Sequence, residues 1–293
     1  MLGETFALLS AVCWAVSAAF YRVGLRGVNP YLANTARSIC ASLLLATYFL
    51  FPGKIAKLFV LPTETLFWII LSGLVGLGLG DTLYLFSLKL IGVSKTVPIS
   101  STYPLFSLLP AILFLGENVS ANLVLGTCLV VLGLYMVTYQ GGGEPPGERG
   151  RQILGVMSAV GAAGVWGVSI VMMAKGLRGV DPIMFNAIRM PVLSLLLLGL
   201  GLLPLTGGNR FSSLKKQNWL YLALGGVTAL ILGHTFFVLS LKTIGVSRAT
   251  PLSSVSPLLG VLVGMFILGE KKDLRVVFGS VVVVFGLGFV VLH

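Results

Sequence analysis

The chain has 293 residues, 56% hydrophobic and only 10% charged, with a mean hydropathy of +1.00. Soluble domains carry roughly 25% charged residues, so a water-soluble core is excluded and the solvent for most of this sequence is lipid. The net charge is +11, yet every Lys and Arg except Arg37 and Arg189 sits in or beside a short link between apolar runs. That placement suits anionic headgroups, and no basic cluster is interleaved with exposed aromatics as nucleic-acid binding would require.

A spanning helix needs about 20 mostly apolar residues. The sequence predicts ten in chain order: 4–23, 31–51, 66–89, 93–115, 120–139, 152–174, 183–203, 218–242, 246–268 and 273–292. The first is preceded by Glu4, lacks a basic leader and is followed by further spans, so it reads as a retained helix and not a cleaved signal. Residues 140–150, polar and rich in Gly and Pro, form the linker-like stretch. The expected fold is therefore all-α and integral to the membrane, with residues 1–139 and 151–293 as two five-helix units.

Those units are copies. Gly24-Leu25-Arg26-Gly27-Val28-Asn29-Pro30 returns as Gly176-Leu177-Arg178-Gly179-Val180-Asp181-Pro182, 152 residues later. At that offset Trp14 falls on Trp166, Asn34 on Asn186 and Arg37 on Arg189. At an offset of 153, Gly92-Val93-Ser94 falls on Gly245-Val246-Ser247, Pro98 on Pro251, Ser100-Ser101 on Ser253-Ser254, Pro104 on Pro257 and Gly116-Glu117 on Gly269-Glu270. A period this long is a duplicated domain and not a solenoid repeat, whose period is about 20–50 residues. Five spans per copy is an odd number, so the second copy enters the membrane inverted. Inverted copies around a midplane site are the architecture of many secondary transporters and provide alternating access.

Four ionisable residues lie inside spans: Arg37, Asp81, Arg189 and His234. A charge at membrane depth costs about 3 kcal/mol or more, which invites a functional reading. From the helical rise, Arg37 and Asp81 lie roughly 10 and 12 Å below the same face and are expected to pair. Asn34, one turn from Arg37, and Ser100 and Ser101 complete a polar layer, with Trp14 and Tyr103 nearer the centre. The second copy is expected to build the corresponding layer near the opposite face from Asn186, Arg189, His234, Ser253 and Ser254, with Trp166 in the place of Trp14. His234 stands where the first copy has Asp81, which leaves Arg189 without an acidic partner and available to an anionic group such as an amino-acid carboxylate. The competing reading is that both arginines snorkel to the headgroups. His234 is the one side chain that titrates near neutrality, as a proton relay or as a packed donor.

Pro98, Pro104 and Pro110, and Pro251 and Pro257, are expected to kink the fourth and ninth spans, freeing carbonyls toward a cavity. Gly73, Gly76, Gly78 and Gly80 follow no strand, so they signal helix packing and not dinucleotide binding. Glu117 and Glu270 are expected to cap the helices they precede. Cys13, Cys40 and Cys128 show no metal-ligand spacing and read as packing residues. No cofactor or metal is expected, and no nucleophile–base pair suggests catalysis.

Trp14, the Pro30 to Arg37 stretch, Gly92-Val93-Ser94 running into Pro98, and Gly116-Glu117 followed by Gly126 and Gly133 resemble the ten-helix EamA family of the drug/metabolite transporter superfamily. Trp166, Asn186 to Arg189, Gly245-Val246-Ser247, Pro251, Gly269-Glu270, Gly279 and Gly286 repeat the pattern. The resemblance implies a basket-like fold, a central cavity walled by spans 1–4 and 6–9, and a multi-pass inner-membrane carrier of small metabolites, commonly an exporter of amino acids. It also implies cytoplasmic termini. The positive-inside rule points the other way, since the links opposite the termini hold twice the Lys and Arg of those beside them. Organic-cation export, with Asp81 as the acidic residue, and a non-transporting membrane scaffold are the alternative functions.

Overall fold

The computed structural model describes residues 1–91, 93–138, 149–201, 214–260 and 274–292. All regular structure among them is helical. The order is α1 (Leu2–Gly24), α2 (Pro30–Ala46) with a 3-10 turn at Thr47–Leu50, α3 (Lys54–Phe59), α4 (Thr63–Ser72), a π segment (Gly73–Gly80), α5 (Asp81–Ile91), α6 (Val93–Ser100) and α7 (Tyr103–Leu115). Then come α8 (Ala121–Thr138), α9 (Arg149–Gly176), α10 (Pro182–Gly201), α11 (Lys216–Gly226), a second π segment (Val227–Gly233), α12 (His234–Ser253), α13 (residues 256–260) and α14 (Leu274–Val291).

Among the described residues, seven stretches are long and apolar enough to cross a membrane. Ten are expected from the sequence, and the differences are local. The helix α2 has 17 residues before it tightens into the 3-10 turn. The stretch Lys216–Ser253 is 38 residues long, well beyond one crossing. It breaks at Gly245, whose φ of 75° and ψ of 178° belong to a region only glycine occupies comfortably. The remainder of the expected ninth span runs into residues 261–273, outside the described set, and Val277–Val291 is a shorter apolar helix. Gly92, Gly269, Glu270 and most of the expected linker also lie outside it. Residues 149 and 150 of that linker already belong to α9.

The repeated heptapeptides have a local physical reason. Asn29 accepts a hydrogen bond from the Tyr31 amide at 2.9 Å, and Pro30 sits in the first turn, where its missing N–H costs nothing. Asp181 does the same for α10, accepting from Ile183 and Met184 at 3.0 and 3.1 Å. Each motif ends one membrane helix and starts the next.

The prolines take two kinds of place. Pro98 and Pro251 lie inside α6 and α12, but Pro104 and Pro257 fall in the first turns of α7 and α13. The helices break outright at 101–102 and 254–255. A proline amide cannot bond back across such a break, so it serves as a helix start.

The core runs between α9, α10 and α12, with Phe185, Met190, Leu193, Val238 and Val246 fully or almost fully buried. Outward faces carry large apolar side chains such as Leu195, Phe278 and Phe285, as a lipid-facing surface does. Cys13 and Cys40 are half-buried, while Cys128 is exposed on the outer face of α8. Small residues set the closest helix contact: Gly126 and Gly133 of α8 face Gly286 and Gly279 of α14, and a Cβ on Gly133 would sit 2.6 Å from the Gly279 carbonyl oxygen. Ser42 of α2 meets Ser194 of α10, its counterpart 152 positions on, at 2.7 Å.

Candidate functional site

Asn34 and Arg37 project from one side of α2, and the guanidinium is held on three sides. Arg37 Nε donates to Asn34 Oδ1 at 2.8 Å, Nη2 donates to Asp81 Oδ2 at 2.7 Å, and the charge lies 5.0 Å from the centre of the Tyr21 ring. The expected pairing of Arg37 with Asp81 is therefore present. The other oxygen of Asp81 accepts the Trp166 indole N–H at 3.0 Å. A chain of polar groups thus runs from α2 through α5 to α9.

Trp166 is fixed by what lies beneath it. A Cβ on Gly80 would come within 2.6 Å of the indole, so only glycine lets the ring approach the end of the π segment. Tyr84 and Tyr103 pack on the same indole, with ring centres 5.3 and 6.2 Å away. Trp14 occupies the corresponding place against Gly233, 5.6 Å from the His234 ring and 5.4 Å from Phe237. Each tryptophan therefore reaches the residue at the end of the other half's π segment. The sequence alone groups Trp14 with Asp81 and Trp166 with His234. The partners are exchanged because α1 packs on the π segment Val227–Gly233 and α9 on the π segment Gly73–Gly80.

The second arginine is in a different state. Arg189 is 2% exposed; its Nη2 donates to the Ser72 carbonyl at 3.1 Å and its Nη1 approaches Met173 Sδ at 3.4 Å. No described carboxylate lies within ion-pair distance, and its Nε has no hydrogen-bond partner among the described residues. Asn186 is fully buried and gives its amide N–H to Thr235 Oγ1 at 3.2 Å, but its Oδ1 is also without a partner there. These are the same two atoms that bond each other in the first copy. Deep burial replaces the snorkelling alternative for Arg189. His234 Nδ1 lies 2.9 Å from the Ala229 carbonyl oxygen.

The serines divide differently from the expected layers. The Ser100 hydroxyl donates to the Val97 carbonyl within α6, and Ser254, just past the end of α12, donates back to that of Pro251. Ser101 is buried, and no described hydrogen bond ties Ser100 or Ser101 to Arg37 or Asp81. Ser253 instead meets the Tyr103 hydroxyl at 3.2 Å, and Ser107 meets Thr250 at 3.1 Å, making a polar seam between α7 and α12. Tyr103, expected nearer the centre, thus meets Ser253 and Trp166, both expected in the second copy's layer.

Glu117 corrects another expectation. Ser120 caps α8 through the Leu123 amide. The Glu117 carboxylate accepts from the Val246 and Ser247 amides at 2.6 and 2.8 Å and from the Ser247 hydroxyl. It caps the helix that begins after Gly245. Tyr21, Met173 and Ser72, neighbours of the arginines, and Thr235, a partner of Asn186, are missed by sequence reasoning, because nothing in their local pattern distinguishes them from packing residues. Among the described residues no group of three His, Cys, Asp or Glu could hold a metal ion.

A charged polar interior wrapped in helices with apolar outer faces defines a multi-pass membrane protein whose inside has work to do. The chain belongs to the EamA-like transporter family, which it matches over residues 1–139 and 153–292. It is 28% identical to an uncharacterized transporter of Archaeoglobus fulgidus over 98% of this chain and 97% of that protein. It is 30% identical to the glucose uptake protein GlcU of Staphylococcus xylosus over 69% of this chain and 68% of that one. A solved crystal structure with 17% sequence identity superposes on 99% of this chain and 98% of its own, with a TM-score of 0.80, and so shares the fold. The family and these relatives are transporters, which makes this chain a cell-membrane transporter for a small molecule.

Proposed function

We propose that the two matched segments are inverted five-span copies that move a small anionic metabolite, such as an amino acid, by alternating access. The substrate would sit between the Trp14–His234 and Trp166–Asp81 pairs, within reach of both arginines. The breaks at 101–102 and 254–255 would leave backbone groups free to face it. The observation that carries this reading is the charge balance: among the described residues Arg37 pairs with Asp81, while the buried Arg189 has no carboxylate within ion-pair distance. A buried cation without a counter-charge is costly, and the Arg189 Nε donor beside the Asn186 Oδ1 acceptor suits a carboxylate with a neighbouring ammonium or hydroxyl group. The hydrogen bond of His234 to Ala229 favours an orienting role over a proton relay.

The relative named as a glucose uptake protein supports a second reading, a neutral sugar held on the tryptophan faces and hydrogen-bonded by Asn34 and Asp81. Flux of radiolabelled amino acids, organic acids and glucose in proteoliposomes separates the two. The anionic reading expects amino-acid or organic-acid flux that falls more than about tenfold in Arg189→Ala, one charge-assisted hydrogen bond's worth. Wild-type flux of that substrate in both Arg189→Ala and Arg37→Ala would overturn it, as would transport of glucose alone. Loading the vesicles from inside tests export against uptake.

A further inference from the structure

A second site lies away from the polar interior. Glu64 and Thr65 at the start of α4, Trp68 one turn on, Phe114 near the end of α7, and Lys175 and Arg178 at the end of α9 enclose a cavity of about 220 Å³. Five of the six lie at or just beyond the ends of the spans Thr63–Tyr84, Lys95–Leu115 and Gly150–Gly176, with Trp68 little more than a turn inside, so the cavity sits near the level of one membrane surface. A water's share of liquid volume is about 30 Å³, so the space suits a polar group of several heavy atoms. The Lys175 ammonium is poised 4.7 Å from the Trp68 ring centre and 5.2 Å from that of Phe114. Among the described residues, neither Lys175 nor Arg178 is within ion-pair distance of a carboxylate.

The corresponding place in the second copy shows why the cavity exists; this comparison rests on the repeat. There Asn218 stands for Thr65, and its Nδ2 donates to the carbonyls of Gly24 and Arg26 at 2.9 and 3.3 Å. Thr65 lacks that amide and cannot bridge to the turn at Gly176–Arg178. Val23 stands for Lys175. One place thus lacks the bridging side chain and carries a further cation, a combination that suits a ligand site and not a packing fault.

The lining carries both signs, two cations and Glu64, whose Oε1 already accepts the Trp68 indole N–H at 3.3 Å. A purely anionic group would be repelled by that carboxylate. A group with a phosphate for Lys175 and Arg178 and an ammonium for Glu64 and the aromatic faces fits. From the rim, Phe106, Leu109 and Leu113 form an exposed apolar stripe along α7 into the membrane, a track for an acyl tail. We propose that this pocket binds the headgroup of a phosphoethanolamine lipid.

The test uses full-length protein in detergent, titrated with short-chain phosphatidylethanolamine, short-chain phosphatidylglycerol and soluble phosphoethanolamine, with bound ligand read by native mass spectrometry. Phosphatidylethanolamine is expected to be retained best. Joint Lys175→Ala and Arg178→Ala substitution should weaken retention by about tenfold or more. Thr65→Asn, which restores the bridge seen at Asn218 without removing charge, should weaken it as well, with the melting temperature kept or raised. Equal retention by wild type and both variants overturns the assignment. So does phosphatidylglycerol binding as well as phosphatidylethanolamine, or soluble phosphoethanolamine binding as well as the lipid.

Discussion

Arg37 and Asp81 show how a largely buried charge pair, its side chains 17% and 13% exposed, is made tolerable and why neither partner can be spared alone. The arginine is satisfied by Asn34, Asp81 and the Tyr21 ring, and the aspartate by Arg37 and Trp166. Deleting one partner of a buried pair costs about 3–5 kcal/mol, because the other charge stays behind. Arg37→Ala and Asp81→Ala should each lower the melting temperature in detergent sharply, and the double variant by clearly less than their sum. The pairing is legible in the sequence because depth follows from the helical rise, and two groups at equal depth on neighbouring helices can meet. The partners of Trp14 and Trp166 are not legible. Which half a long side chain reaches into depends on how the helices pack, and nothing in residues 14 or 166 encodes that. The open state of Arg189 is half legible: the absence of an acid at 234 is plain, but the contacts with Ser72 and Met173 need the packing.

At the scale of elements, two contacts between helices can be tested singly. Glu117 fixes the helix start after Gly245 through two amides and a hydroxyl. Glu117→Ala should cost about 1–2 kcal/mol, as loss of an N-cap does, and speed hydrogen exchange at the Val246 and Ser247 amides while leaving α8 unchanged. Faster exchange in α8 instead would mean that Glu117 caps its own helix. The sequence cannot separate the two cases, since a carboxylate just before a helix looks the same whether it caps that helix or another. Where α8 crosses α14, any side chain at Gly133 runs into backbone and not into a movable rotamer. Gly133→Val should therefore cost about 1–3 kcal/mol by overpacking, visible as a lower melting temperature; an unchanged one would show that the helices are free to separate. Hydropathy marks the apolar helices, seven stretches of which among the described residues are long enough to cross a membrane, against ten expected. The π segments and the clean breaks at 101–102 and 254–255 are not legible, because glycine and proline mark that regular helix is disturbed without saying in what form.

For the whole molecule, the Ser42–Ser194 contact bears on how the proposed halves would move. Equivalent residues that touch mark where the two copies' relating axis passes, and a point on that axis shifts least when the copies exchange shapes. A Ser42→Cys, Ser194→Cys double variant, oxidised to a cross-link, is accordingly expected to keep most of its flux in proteoliposomes; abolished flux would place the pivot elsewhere. The two π segments add a second freedom. Each ends immediately before the residue that meets a tryptophan, Asp81 in one case and His234 in the other. A π turn holds one more residue than an α turn, and one residue of helix corresponds to about 100° of rotation. Each segment is thus a stored fraction of a turn. Releasing it into regular helix would swing Asp81 away from Arg37, or His234 away from Trp14, while the far end of the same helix kept its seat.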